Sequence, residues 1–188
     1  MLYDKKIIME PKAFAVGLRI MHPQEFINNN AYGNNIYNLP AADYKVTYKS
    51  VCTGRERGVY SFCMCPGGYV VNGMSYSGRD SSNANSAMIV TVTPEDYGYG
   101  TLDGVKFQRK LETAAYIAGE GKIPVQLLGD FKENTASTSL GAVSPCIKGE
   151  YKLTNVRSIL PDYIAEAISE GVTGCDRYIK GFDMDEAL

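Results

Sequence analysis

A period of two dominates the first half of the chain. Over residues 13–20, Phe14, Val16, Leu18 and Ile20 fall on one face, with small or charged residues on the other, which predicts a half-buried strand. Residues 44–49 alternate more cleanly, with aromatic and β-branched residues facing in and Lys45 and Lys49 facing out. Three further runs, Val59 to Cys65, Tyr69 to Val71 and Ala87 to Val92, are less amphipathic and predict strands covered on both faces. Turn chemistry joins them: Thr53-Gly54 and Arg57-Gly58, Pro66-Gly67-Gly68, and the Ser/Asn-rich stretch from Ser77 to Ser86, which reads as loop.

The period changes after Tyr97-Gly98-Tyr99-Gly100. Phe107, Leu111, Ala114 and Ala118 recur at helical spacing, so a helix is expected from about Val105 to Ala118, with Asp103 as its cap and Gly119 or Gly121 as its stop. The segment Pro124 to Phe131 reads equally as strand or short helix. A polar loop from Asn134 to Gly141 is the expected mobile segment. A second helix opens near Pro161, with Tyr163, Ile164, Ala167 and Ile168 inward and Gly171 ending it, and Cys175 to Lys180 forms a last short helix. These patterns predict an α+β fold: a β-rich, barrel-like, mostly antiparallel body over about 10–96 and a helical lobe over about 101–188 of one domain spanning 1–188, with no Rossmann domain.

Composition changes this picture little. The chain has 188 residues, 19 Lys+Arg against 21 Asp+Glu, a net charge of −2 and a hydrophobic fraction of 45%, which suits a globular core. The near-balance argues against nucleic acid as a partner, because phosphate binding needs a concentrated basic face. No apolar run has the length of a membrane span and the first residues lack a signal-peptide layout, so no membrane partner is expected. Five cysteines do not complete a disulfide framework, and a reduced, cytoplasmic setting fits them better. One histidine, His22, is the sole candidate histidine base.

Chemistry concentrates in three stretches. Cys63-Met64-Cys65-Pro66-Gly67-Gly68 puts two thiols at i and i+2, on one face of a regular strand, ahead of a sharp turn whose backbone N–H groups are expected to be free. It reads either as a loop presenting thiols and amides to a ligand, or as two small hydrophobes closing a strand. Zinc is not expected, because CxC lacks the usual ligand spacing and Cys52, Cys146 and Cys175 supply no second pair; thiol redox chemistry through Cys63 and Cys65 is a rival reading. Arg19, His22 and Gln24 at a strand end suit anion binding or carbonyl polarisation, or a plain surface turn. Arg79, Asn83 and Asn85 offer polar contacts to a substrate, or decorate a surface loop. No GxGxxG after a strand and no GxxxxGK[ST] occurs, so dinucleotide binding by this chain alone is not expected.

Taken together, Phe14 to Gln24, Phe62 to Val71, Asn72-Gly73-Met74-Ser75, Asn83 to Ser86, Phe107 to Lys110, Pro124-Val125-Gln126, Gly129-Asp130-Phe131, Ser137 to Gly141, Leu160 to Tyr163 and Lys180-Gly181-Phe182 resemble a family of uncharacterised bacterial FAD-dependent dehydrogenases, also labelled NAD-utilising. Members are longer, with a Rossmann-like FAD domain split around an inserted middle domain, and the present chain resembles that middle domain alone.

The resemblance implies a substrate-side domain covering the flavin of an oxidoreductase, inactive in isolation, whose partner is the FAD-binding domain of the same polypeptide. FAD, with NAD(P) as a possible electron partner, belongs to the parent, and none is expected here. It implies the Cys63 to Gly68 run, with Pro66, Gly67 and Gly68, as the flavin-facing loop and Arg19, His22 and Gln24 as the second choice, and it leaves open whether Cys63 or Cys65 reacts or packs. From the residues themselves, Cys63, Cys65 and His22 are the catalytic candidates and Arg19, Gln24, Arg79, Asn83 and Asn85 the substrate-binding candidates. A stand-alone binding module is the alternative. The family pattern also leads one to expect an extra segment where Val70-Val71-Asn72 here runs straight into Gly73-Met74-Ser75.

Overall fold

The alternating runs of the first half form one open antiparallel sheet. The computed structural model describes residues 2–33, 39–70 and 78–188. Strand β1 (Phe14–Pro23) leads directly into helix α1 (Gln24–Tyr32), followed by β2 (Thr47–Ser50), β3 (Arg57–Cys65) and β4 (Asn83–Val92). Helix α2 (Pro94–Tyr97) is held by a capping box between Thr93 and Asp96, and α3 (Asp103–Ala118) follows. The ambiguous segment is both things in turn, with β5 (Ile123–Val125) running into α4 (Leu128–Lys132) before β6 (Tyr151–Leu153) and α5 (Asp162–Cys175).

The main sheet has the order β1-β4-β3-β2, all antiparallel, while β5 and β6 form a separate parallel pair. The expected barrel is therefore corrected: among the described residues the body is an open sheet. Four strands are too few to curl shut. Among the described residues, the backbone pairing on the outer edge of β1 is with the chain's own Leu188, which exchanges hydrogen bonds of 2.7 and 3.2 Å with Met21.

Helix α5 covers one face of the sheet, and Val59, Met88 and Val90 share a core with Ile164, Ile168 and Val172. The helix continues through Gly171, where a stop was expected, because the two glycines of its last turns serve packing. A methyl at Gly171 would lie 2.6 Å from Val59 Cγ1 and 2.8 Å from its Cβ, so only glycine lets the helix sit this close to β3. Alanine gains about 1 kcal/mol of helix propensity, but the overlap with a buried strand residue costs up to about 3 kcal/mol. Gly171→Ala is expected to lower the urea unfolding free energy by about 2 kcal/mol net. Gly174→Ala, which meets the movable, half-buried ring of Tyr48, is expected to cost less.

Other boundaries differ in instructive ways. Asp103 is the first residue of α3, and its carboxylate accepts the Gly100 N–H at 2.9 Å. Residues 176–180 form turns and no helix. In the stretch expected to be mobile, Ser137 is buried and pinned, accepting from Leu127 N–H and donating to Asp130. The strand expected over 69–71 appears as a single bridge from Val70 to Ile147, and the Val71-Asn72-Gly73 join lies outside the described residues.

Candidate functional site

Where β1, β3 and β4 end together, a buried polar bracket holds the Cys63–Gly68 turn. Alternation along β3 buries Arg57, Val59 and Ser61 and turns Tyr60 and Phe62 outward, so regular pleating would bury Cys63. A register shift between Phe62 and Cys65 interrupts the ladder with β4, and Cys63 adopts a left-handed φ of 46°. A bulged strand bends and re-aims its side chains. The outcome is an exposed Cys63 beside Phe62, which is 57% exposed, with Cys65 half-buried behind them. The bulge therefore corrects the expectation that both thiols share one face of a regular strand. All five cysteines are free.

Pro66, Gly67 and Gly68 are buried, and they form the foot of this turn. Gly67 N–H donates to Gln24 Oε1 at 2.6 Å, and Gly68 N–H donates to the Cys65 carbonyl at 3.4 Å. The amides expected to be free are thus satisfied within the chain. Gly67 has φ 56°, and a Cβ there would lie 2.1 Å from the Arg79 carbonyl oxygen, which makes glycine obligatory.

Three of the polar residues singled out in the sequence converge on this turn. Arg19 Nε donates to Asn85 Oδ1 at 2.8 Å, and its guanidinium also donates to the Cys63 carbonyl at 2.9 Å. Asn85 Nδ2 donates to the Gly68 carbonyl at 2.6 Å. Gln24 is buried and completes its amide with bonds from Nε2 to Asn28 Oδ1 and the Ala42 carbonyl, both 2.9 Å. A buried amide with every atom bonded is a positioning device, since losing a partner leaves an unsatisfied group costing about 1–3 kcal/mol. Asn83 is buried nearby and donates to the Ser144 carbonyl at 2.7 Å, whereas Arg79 is exposed and contributes its backbone to the turn.

His22 lies apart from this surface. Its ring is fully enclosed, stacked on Phe182 at 4.5 Å and Phe26 at 5.5 Å between centroids. Nε2 lies 2.7 Å from the Phe182 carbonyl, which makes it the N–H donor, and Nδ1 has no partner among the described residues. Burial pushes its pKa down to about 4, against the raising effect of the Phe182 carbonyl. The folded form therefore refuses a proton that the unfolded chain accepts near pH 6.5. Stability is complete above that value and declines as pH falls toward 4. Between pH 7 and pH 5 the unfolding free energy is expected to drop by about 2 kcal/mol. The carboxylates held low, Glu170 at about 2 by its Ser50 hydrogen bond and Asp96 by Arg57, act mainly below this window. Because the chain has one histidine, His22→Gln should flatten the pH 5–7 slope whatever it does to stability at pH 7.

Sequence reasoning missed Phe62, although the parity of Val59 and Ser61 marks it as outward, and it missed the bulge that exposes Cys63. Among the described residues no group of three or more His, Cys, Asp or Glu is placed to hold a metal ion. No helix among them is long and apolar enough to cross a membrane.

An open antiparallel sheet under one long helix, with a braced cysteine-bearing turn at its end, is the architecture to set beside known proteins. Residues 13–188 match the family model described as FAD-dependent protein, C-terminal domain-like, and the chain belongs to that family. An uncharacterized protein of Clostridium beijerinckii (strain ATCC 51743 / NCIMB 8052) is 49% identical over 205 residues, a match covering 100% of this chain and 38% of the relative. The aligned length exceeds this chain's 188 residues, so the relative carries positions with no counterpart here.

The family description implies FAD. The residues described here do not fit the whole cofactor: the turn's amides at Gly67 and Gly68 are already bonded, and the sheet is antiparallel where a dinucleotide unit needs parallel strands around a glycine-rich turn.

Proposed function

We propose that this chain is the substrate-side, flavin-covering domain of an FAD-dependent oxidoreductase, inserted into the parent polypeptide beside its FAD-binding domain. The observation that carries the reading is the braced turn. Arg19, Gln24 and Asn85 fix the backbone of Cys63, Gly67 and Gly68, and a strained bulge holds Cys63 and Phe62 outward. Strain of this kind in a rigid frame is characteristic of surfaces that meet a ligand. Phe62 and Cys63 then form the wall toward the isoalloxazine, with Pro66, Gly67 and Gly68 as its support. The flavin supplies the hydride chemistry, and the domain supplies shape and exclusion of water.

The test uses a full-length relative such as the Clostridium protein. Replacing the residues aligned with Phe62 and Cys63 by alanine is expected to shift the visible bands of its bound flavin and to weaken FAD binding about tenfold. Replacing the residue aligned with Tyr116, exposed on α3, is expected to change neither. Unchanged flavin spectra and affinity in the turn variants would contradict the proposal.

A further inference from the structure

A cleft of about 290 Å³ opens between the outer edge of β1 and strand β5. Its lining is largely apolar: Leu18 and Ile20 of β1, then Val125, Phe131 and Ile147, with Met88, Ile168 and Val172 of the core also reaching it. The rung between Met21 and Leu188 fixes which backbone groups face it. Met21 exchanges both its N–H and its C=O with Leu188, so these groups point away from β4. Antiparallel alternation turns the N–H and C=O of Arg19 and Gly17 the same way. The register between β1 and β4 runs unbroken, so the bonds to β4 fall to the alternate residues, and outside that ladder none of those four groups is bonded to a described residue. Unpaired backbone beside an apolar cleft is a template for another strand.

We propose that this edge receives an antiparallel strand from the remainder of the parent polypeptide, extending the Leu188 rung to Arg19 and Gly17 and filling the cleft with alternate apolar side chains. The inference rests on the reading of this chain as part of a longer FAD-dependent protein. Three observations favour that occupant. The pairing has already begun at Leu188, so an added strand has a register and a direction. The opposite wall carries Val125, Phe131 and Ile147, and one face of an extended segment, made of every second side chain, would meet it. Most of the matched relative lies outside the alignment, so polypeptide of the required length exists. The strand would also bury Arg19's backbone and so stiffen the residue whose guanidinium holds the Cys63 carbonyl.

Residue-resolved hydrogen exchange tests this in the full-length Clostridium protein and in this 188-residue chain. The amides aligned with Gly17 and Arg19 are expected to exchange about a hundredfold or more slowly in the full-length protein than in the shorter chain. Equal, fast exchange in both overturns the proposal. Slow exchange already present in the dilute 188-residue chain also overturns it, because the chain then fills its own edge. Protection that grows with the concentration of the 188-residue chain assigns the edge to a second copy and likewise overturns it. Flavin content distinguishes failure of the strand from failure of the oxidoreductase reading. A full-length protein that binds FAD while these amides stay fast refutes the strand and spares the oxidoreductase reading. Protected amides in a protein without flavin do the reverse.

Discussion

Asp96→Ala is expected to lower the unfolding free energy by about 3–5 kcal/mol. Arg57 and Asp96 form a two-pronged pair at 2.6 and 3.1 Å, and their side chains are only 8% and 6% exposed. Arg57 also donates to the Thr91 carbonyl at 3.3 Å and stacks 4.4 Å over the Tyr163 ring. Asp96 further accepts the Thr93 N–H at 2.8 Å, so one carboxylate both caps α2 and neutralises a cation beneath α5. The guanidinium beside it holds the Asp96 carboxyl below its ordinary pKa. Removing the carboxylate strands a buried charge and uncaps the helix together. In a chain of this size the loss corresponds to a fall in Tm of about 10 °C. Arg57→Met in the Asp96→Ala background should recover much of it, since the stranded charge is then gone. Calorimetry of the two variants checks this, and a fall in Tm of only a degree or two for Asp96→Ala would show that water reaches the pair.

Phe182→Ala is expected to cost a similar amount, about 3–5 kcal/mol. Phe182 is among the largest side chains with no exposure at all. Its ring stacks on His22 at 4.5 Å and meets Tyr44 edge-on at 5.4 Å. Truncation leaves a cavity against the imidazole, whose depressed pKa depends on exclusion of water. The variant should therefore show two changes at once: lower stability at pH 7 and a His22 pKa that moves from about 4 back toward 6.5. Urea titrations at pH 7 and pH 5 measure both, because the pH-dependent loss shrinks as the folded pKa rises. A large loss of stability with an unaltered pH slope would mean that the cavity collapses without admitting water.

The parts of the fold that the sequence disclosed are those in which side-chain burial follows a local period. The alternation over 14–20 became β1, and the stripe of Phe107, Leu111, Ala114 and Ala118 became the inward face of α3. Two elements were hidden by composition. Helix α1 carries Asn28, Asn29 and Asn30, poor helix formers, and its signal lay in Pro23 followed by Glu25 at the helix start. Asn83 to Ser86 have the composition of a loop, yet they begin β4 because their buried polar groups find partners such as Ser144, Arg19, Gly68 and Tyr44.

The candidate site was half legible for the same reason. Arg19, Gln24 and Asn85 stand out as polar residues among strands, but sequence offers no way to see that they bond the turn from beneath. The exposure of Cys63 depends on a left-handed bulge, and the cleft beside β1 is assembled from segments more than a hundred residues apart. Neither follows from a local pattern.

We propose a domain that shapes a flavin site whose cofactor is held elsewhere in the parent protein. Titration of FAD into the purified 188-residue chain, beside flavin analysis of the purified full-length Clostridium relative, tests it most directly. No stoichiometric binding to the 188-residue chain is expected, and one FAD per full-length polypeptide. One tightly bound FAD per 188-residue chain, or a full-length relative that neither carries nor takes up flavin, would contradict it.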